Sequence, residues 1–158
     1  MRTNLISALA AGALVFSATA AMAAPHDGAW TLDPARSFWS TTGKLQPGFK
    51  LTVNFTFGPN KLTYHSVNTS NPDKPYISDH ITTLDGAITP FANQERFNQV
   101  SVTQTDPDNL QILKMKDGDV IAGEFWSFSA DGKTAVRRGV GKSAEGKSHA
   151  YQEFFVHQ

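Results

Sequence analysis

The chain has 158 residues, 14 Lys and Arg against 14 Asp and Glu, and no cysteine. Balanced charge gives no basic face for nucleic acid. The missing cysteine excludes disulfides, thiolate catalysis, Cys-ligated metal and a lipid-attachment thiol.

Met1-Arg2-Thr3-Asn4 carries a positive charge, Leu5 to Ala20 is apolar or small, and Ala21-Met22-Ala23 has the A-x-A form of a cleavage site. Residues 1–23 therefore read as a secretory signal peptide cut after Ala23, directing a soluble protein to a periplasm or beyond. The run is short for a spanning helix, and no second apolar segment could cross a membrane. Residues 24–158 make one domain, in which most of the 11 Phe and all three Trp must find a core or line a cavity.

Residues 24–48 read as an N-terminal arm, with Asp33-Pro34 able to start a helical turn over Ala35 to Trp39. From Phe49 onward the pattern is strand and turn. Leu51, Val53, Phe55 and Phe57 alternate with Thr52, Asn54 and Thr56, the period of a half-buried strand. Gly58-Pro59-Asn60 turns it into Leu62 to Val67. Tyr76 to Leu84 follows, then Asp85-Gly86, a short Ile88–Phe91 strand or bend, and a polar loop from Asn93 to Arg96. Phe97–Thr105, Leu110–Lys116, Asp119–Phe128, Lys133–Val140 and Lys147–His157 complete the series. Asp117-Gly118, Asp131-Gly132 and Glu145-Gly146 recur at fourteen-residue intervals, a strong hairpin signal because type I′ turns need φ > 0 at both central residues. The expected fold is all-β: an antiparallel up-and-down meander of eight or nine strands, closing into a barrel to remove its edges.

Two-residue turns fix a register. Across Asp131-Gly132, Phe128 faces Ala135, Trp126 faces Arg137 and Glu124 faces Gly139. Across Glu145-Gly146, Arg137 faces Phe154, Gly139 faces Gln152 and Arg138 faces Glu153. One face then carries Glu124, Trp126, Phe128, Arg137, Gln152, Phe154 and Val156, continuing into Val120, Ala122 and Met115. The other carries Phe125, Val136, Arg138, Val140, Tyr151, Glu153 and Phe155. Both are partly apolar; the first, holding Trp126, is taken as the interior. Arg138–Glu153 is then a surface ion pair. Arg137 lies between Trp126 and Phe154 in cation–π range, Glu124 is diagonal to it, and Gly139 leaves space. Across Pro59-Asn60, Phe55 faces Tyr64, which points inward. Tyr64, Glu124, Trp126, Arg137 and Phe154 are the candidate ligand-binding residues, apolar walls with few polar anchors. The competing reading has Arg137 plugging one end of a filled barrel.

Catalytic signals are weak. Centring the Asn71–Lys74 loop pairs His65 with His80, but Tyr64 inward turns His65 outward. His149, Tyr151 and Glu153 share a face without an H-x-H or HExxH motif. G-x-S-x-G is absent, and Gly139-Val140-Gly141-Lys142-Ser143 lacks the spacer and helix of a phosphate loop. No metal, cofactor or catalytic residue is assigned, although Glu124 with Arg137 has the makings of an acid/base pair.

The segment Gly28-Ala29-Trp30-Thr31-Leu32-Asp33-Pro34-Ala35-Arg36-Ser37 resembles the G-x-W-x-L-x-x-x-x-S opening of small exported bacterial lipocalin-like proteins. Leu84 to Pro90 resembles their Y-D-G-x-x-x-P segment, with Leu84 in place of Tyr. Gln104 stands where an arginine is frequent. The three acidic-Gly segments resemble the family's last turns. The resemblance implies an antiparallel barrel, Trp30 closing one end with Arg137 or Arg138 packed on it, and a small hydrophobic ligand.

The function expected is therefore an exported soluble β-barrel binding a small hydrophobic or amphipathic molecule. The alternatives are a cofactor-independent lyase, isomerase or hydrolase working in the same cavity, and a surface interaction or inhibitory module.

Overall fold

A computed structural model describes residues 25–92, 95–143 and 145–158. The expected signal peptide, residues 1–23, lies outside the described residues, as does Asn93 of the polar loop. Ten strands follow one another: β1 (Gly28–Trp39), β2 (Leu51–Gly58), β3 (Lys61–Asn68), β4 (Tyr76–Thr82), β5 (Asp85–Pro90), β6 (Gln99–Asp106), β7 (Asn109–Lys116), β8 (Asp119–Phe128), β9 (Thr134–Lys142) and β10 (Ser148–His157). All pair antiparallel in one sheet of order β4-β3-β2-β1-β10-β9-β8-β7-β6-β5. The β1–β10 pairing rolls the meander into a nearly closed barrel. A seam remains between β4 and β5, which share no ladder and are bridged by Thr89 Oγ1 donating to Thr82 Oγ1 at 3.0 Å.

The count exceeds the expected eight or nine because the arm is itself a strand. Asp33-Pro34 does not start a helical turn. It sits where the β1–β10 register shifts, between Asp33 and Phe38. Pro cannot donate to a ladder, so within a strand it settles at such a bulge. The Asp33 side chain accepts from the Ala35 amide at 3.0 Å, and the Ser37 hydroxyl donates to the Asp33 carbonyl at 2.7 Å.

Turn chemistry decides two registers in opposite ways. Asp117 and Gly118 both have positive φ, +51° and +87°, as a type I′ turn needs. At the other two acidic-Gly pairs only the glycine does. Around Asp131-Gly132 the register is nonetheless the expected one, with Trp126 opposite Arg137 and Glu124 opposite Gly139. Around Glu145-Gly146 it is not. The Gly146 amide donates to the Ser143 carbonyl at 3.0 Å, and the Ser143 amide donates to the Lys147 carbonyl at 2.8 Å. An odd loop results, and every pair shifts by one residue. Arg137 faces Glu153, Gly139 faces Tyr151 and Arg138 faces Gln152. A one-residue slip exchanges the two faces of a strand. Tyr151, Glu153 and Phe155 therefore point inward, and Gln152, Phe154 and Val156 point outward. Val120 also faces out, because the β7–β8 ladder shifts between Lys114 and Met115. The expected surface pair Arg138–Glu153 does not form; Arg138 Nε donates to Gln152 Oε1 at 3.0 Å.

One half of the barrel is solid. Trp30 is wholly buried, stacks on His157 at 4.4 Å and meets Phe128 edge-on at 5.1 Å. Its Nε1 donates to the His26 carbonyl at 3.1 Å, and the His26 ring stacks on Phe128 while bonding Asp108 at 2.8 Å. Trp30 thus closes this end, but its partners are His157 and Phe128 and neither expected arginine. Above this plug Phe55, Trp126 and Phe155 fill the middle with ring centroids within 5.0 Å of one another's neighbour.

Candidate functional site

The other half is hollow. The first strand leaves β2 after Thr31–Thr52, and residues 40–50 connect the two strands at this end. The β3–β4 and β5–β6 connections emerge at the same end. Together they surround a cavity of about 660 Å³, walled by Trp39, Phe49, Leu51, Tyr64, Tyr76 and Phe97 among others, with Lys114, Glu124, Arg137 and Glu153 at its base.

Those four charges form one belt. Each comes from a successive strand, β7 to β10, and signs alternate. Lys114 Nζ lies 2.6 Å from Glu124 Oε1, and Arg137 Nη1 lies 3.4 Å from Glu124 Oε2. Arg137 Nε donates to Glu153 Oε2 at 2.7 Å, and its Nη2 bonds the same oxygen. On β1 the Trp39 indole donates to Glu153 Oε1 at 3.0 Å. The belt thus crosses five neighbouring strands. Arg137 is 8% exposed and Glu153 1%. Its guanidinium also lies over Trp126 at 5.3 Å, Tyr151 at 5.4 Å and Phe155 at 5.5 Å.

Pairing sets the ionisation of these groups. Burial pushes the Glu124 carboxyl up, but Lys114 and Arg137 outweigh it and hold the group down at about 2. Burial pushes Lys114 down, and Glu124 outweighs it, so the ammonium is held above its ordinary value. Glu124 is thus held as a carboxylate of low basicity and Lys114 as an ammonium.

On β4, Ser78 and His80 also face inward. His80 stacks on Tyr64 at 4.6 Å and meets Phe91 edge-on at 5.1 Å. Burial, aided by nearby Lys114, lowers its imidazole to about 4. His65 points outward and bonds Asp79, its ladder partner; the expected His65–His80 pairing is off by one residue. Among the described residues no group of three His, Asp or Glu is placed to hold a metal ion, and no helix is long and apolar enough to cross a membrane.

Of the five candidate residues, Tyr64, Glu124 and Arg137 line the cavity. Trp126 lies one layer deeper, packed beneath Arg137 in the core. Phe154 is on the outer face, with the Arg36 guanidinium 4.6 Å above its ring; the odd loop before β10 put it there. Gly139 leaves no void, because the Tyr151 phenol lies across it. Sequence reasoning missed Lys114, Glu153, Tyr151, Ser78 and His80. The signal for Glu153 was an acid able to face either arginine, decided only by the parity of the loop.

Together, fold and cavity define an up-and-down β-barrel with one solid and one hollow end. No protein-family model matches the chain, and neither does any curated protein. Among the solved structures that share the fold are two small ligand-binding proteins. The zebrafish ileal bile acid-binding protein complexed with cholic acid is 11% identical, with TM-score 0.54, covering 85% of this chain and 99% of that one. Lipid binding protein 8 of Caenorhabditis elegans is 9% identical, with TM-score 0.51, covering 85% of this chain and 96% of that one. At such identities the similarity is one of fold.

Proposed function

We propose that the chain is an exported, soluble carrier that holds one small hydrophobic or amphipathic molecule in its barrel. The single observation that carries this reading is the 660 Å³ cavity in the hollow half of the barrel. Its volume is that of a small-molecule site, and its lining mixes apolar residues such as Trp39, Phe49, Leu51 and Phe97 with polar and charged ones. The two barrels of like fold lend support, since one was solved with cholic acid and the other is named for lipid binding. Export rests on Met1 to Ala23, and a mature N-terminus at Ala24 is the expected product.

Trp39 stands in the cavity wall and serves as the reporter. Titration with the uncharged fluorophore N-phenyl-1-naphthylamine should give saturable one-to-one binding, with energy transfer from indole to probe that drops in Trp39→Phe. Absence of saturable binding by this probe, and by a panel of apolar and aromatic compounds, would refute the carrier reading.

A further inference from the structure

We infer that the ligand carries an uncharged hydrogen-bonding group, an alcohol or primary amide, which Ser78 and His80 receive beside Tyr64 at the seam between β4 and β5. This rests on the carrier reading above.

Two observations lead to it. The first is a mismatch in satisfaction. Every charged group of the belt is bonded to another, so the base of the cavity has no cation waiting for a carboxylate and no anion waiting for an amine. An ionised head placed at this base would have to break a pair or bring an uncompensated charge against a belt whose own four charges cancel, and both are costly for buried groups. The second is what stays unmatched. Ser78 Oγ, His80 Nδ1 and His80 Nε2 have no hydrogen-bond partner in the protein, although the two residues are only 2% and 7% exposed. Buried polar atoms are nearly always bonded. Three such atoms on adjacent inward positions of one strand mark a place prepared for something else.

The chemistry of that place is neutral. With its titration near 4, His80 is an uncharged imidazole at neutral pH, one nitrogen donating and the other accepting. Ser78 adds a hydroxyl that does either. An alcohol or a primary amide, which both donates and accepts, complements Ser78 Oγ and one His80 nitrogen in either of its roles. Ser78 and Tyr64 line the cavity, and His80 lies against the Tyr64 ring. Phe49 and Leu51 in the same lining offer apolar contact to the rest of the ligand.

The test is calorimetric titration at pH 7.5 with three probes sharing one chain: decan-1-ol, decanoate and decylammonium. The wild-type protein should prefer decan-1-ol over either ion by tenfold or more. Ser78→Ala and His80→Phe, the latter keeping the stack on Tyr64, should each weaken decan-1-ol about tenfold and leave the ions unchanged. Urea midpoints verify that both variants fold, and Ser78→Ala alone suffices if His80→Phe does not. If decanoate or decylammonium binds as well as the alcohol, or the preference survives both substitutions, the head-group inference falls while the carrier reading stands. If none of the three binds while the fluorescent probe still does, the head-group inference falls and the carrier reading stands; if the probe and panel fail too, both fall.

Discussion

Removing a pair of opposite charges from the belt should cost much less than the sum of removing each alone. In Glu153→Gln the Trp39 indole keeps a carbonyl acceptor, but Arg137 is left with Glu124 alone, at 3.4 Å. The buried set Lys114, Glu124 and Arg137 then carries a net positive charge. Breaking a buried pair from one side costs about 3–5 kcal/mol, against a typical total stability of about 5–15 kcal/mol. With a urea slope of ~2 kcal/mol per molar, the unfolding midpoint should fall by about 2 M. Arg137→Met leaves the opposite imbalance and should cost a similar amount, its thioether still packing on Trp126 and Phe155. In the double variant only the neutral Lys114–Glu124 pair remains. Its loss should be well short of the sum of the two singles, with a coupling of at least ~2 kcal/mol. Urea denaturation of the four proteins, followed by tryptophan fluorescence, completes the cycle. Additivity within ~0.5 kcal/mol would show that the two side chains do not depend on each other, and the belt argument would be wrong.

Acid should act through His80 first. Its folded value of about 4 lies below the ordinary 6.5, so between those limits the unfolded chain binds more protons. Stability from this group is complete above about pH 6.5 and declines as pH falls, by roughly 3 kcal/mol at pH 4. Glu124, depressed from 4.5 to about 2, withdraws its own contribution as pH falls below 4.5. His80→Phe should flatten the urea-midpoint profile between pH 6.5 and 4.5; an unchanged slope would sink this assignment. Gly139→Ala would drive a methyl into the Tyr151 phenol, an overpacking cost of ~1–3 kcal/mol. The same substitution should be nearly neutral on a Tyr151→Ala background, as thermal unfolding of the three variants would establish.

The sequence reading was sound where local signals act alone and failed where a single residue of loop length mattered. Alternation in Leu51 to Phe57 and the Pro59-Asn60 turn placed Tyr64 inward, and the structure pairs Phe55 with Tyr64 as expected. The same was true of Trp126 opposite Arg137. Glu145-Gly146 looked like Asp117-Gly118 in sequence, yet only the latter has two positive-φ residues. Nothing in an acidic-Gly pair tells a two-residue turn from an odd loop with one left-handed glycine. That ambiguity hid Glu153 and Tyr151 and brought Phe154 forward. Uncertain loop length likewise displaced His80 from its true partner Tyr64. Pro34 misled for a different reason: its fixed φ suits a helix start as well as a bulged strand.

The tenth strand offers an apolar face either way, Tyr151 and Phe155 on one side, Phe154 and Val156 on the other. Hydrophobic patterning therefore barely distinguishes the two registers. The belt does. In the observed register Arg137 meets Glu153; slipped by one residue it would meet Phe154, and Glu153 would leave the interior with its Trp39 bond. Four buried charges are a poor way to gain stability, since apolar replacements of similar size often do better. They are an effective way to make one alignment of β10 acceptable and its neighbour costly. The chain has no native cysteine, so disulfide trapping reads the register directly. Val136→Cys with Phe154→Cys, partners in the observed ladder, should oxidise readily. Val136→Cys with Phe155→Cys, partners only after the slip, should not. Once Arg137→Met and Glu153→Gln remove the discriminating pair, cross-linking of the second combination should appear during refolding. If it stays absent, loop geometry alone sets the alignment and the buried charges serve only the cavity.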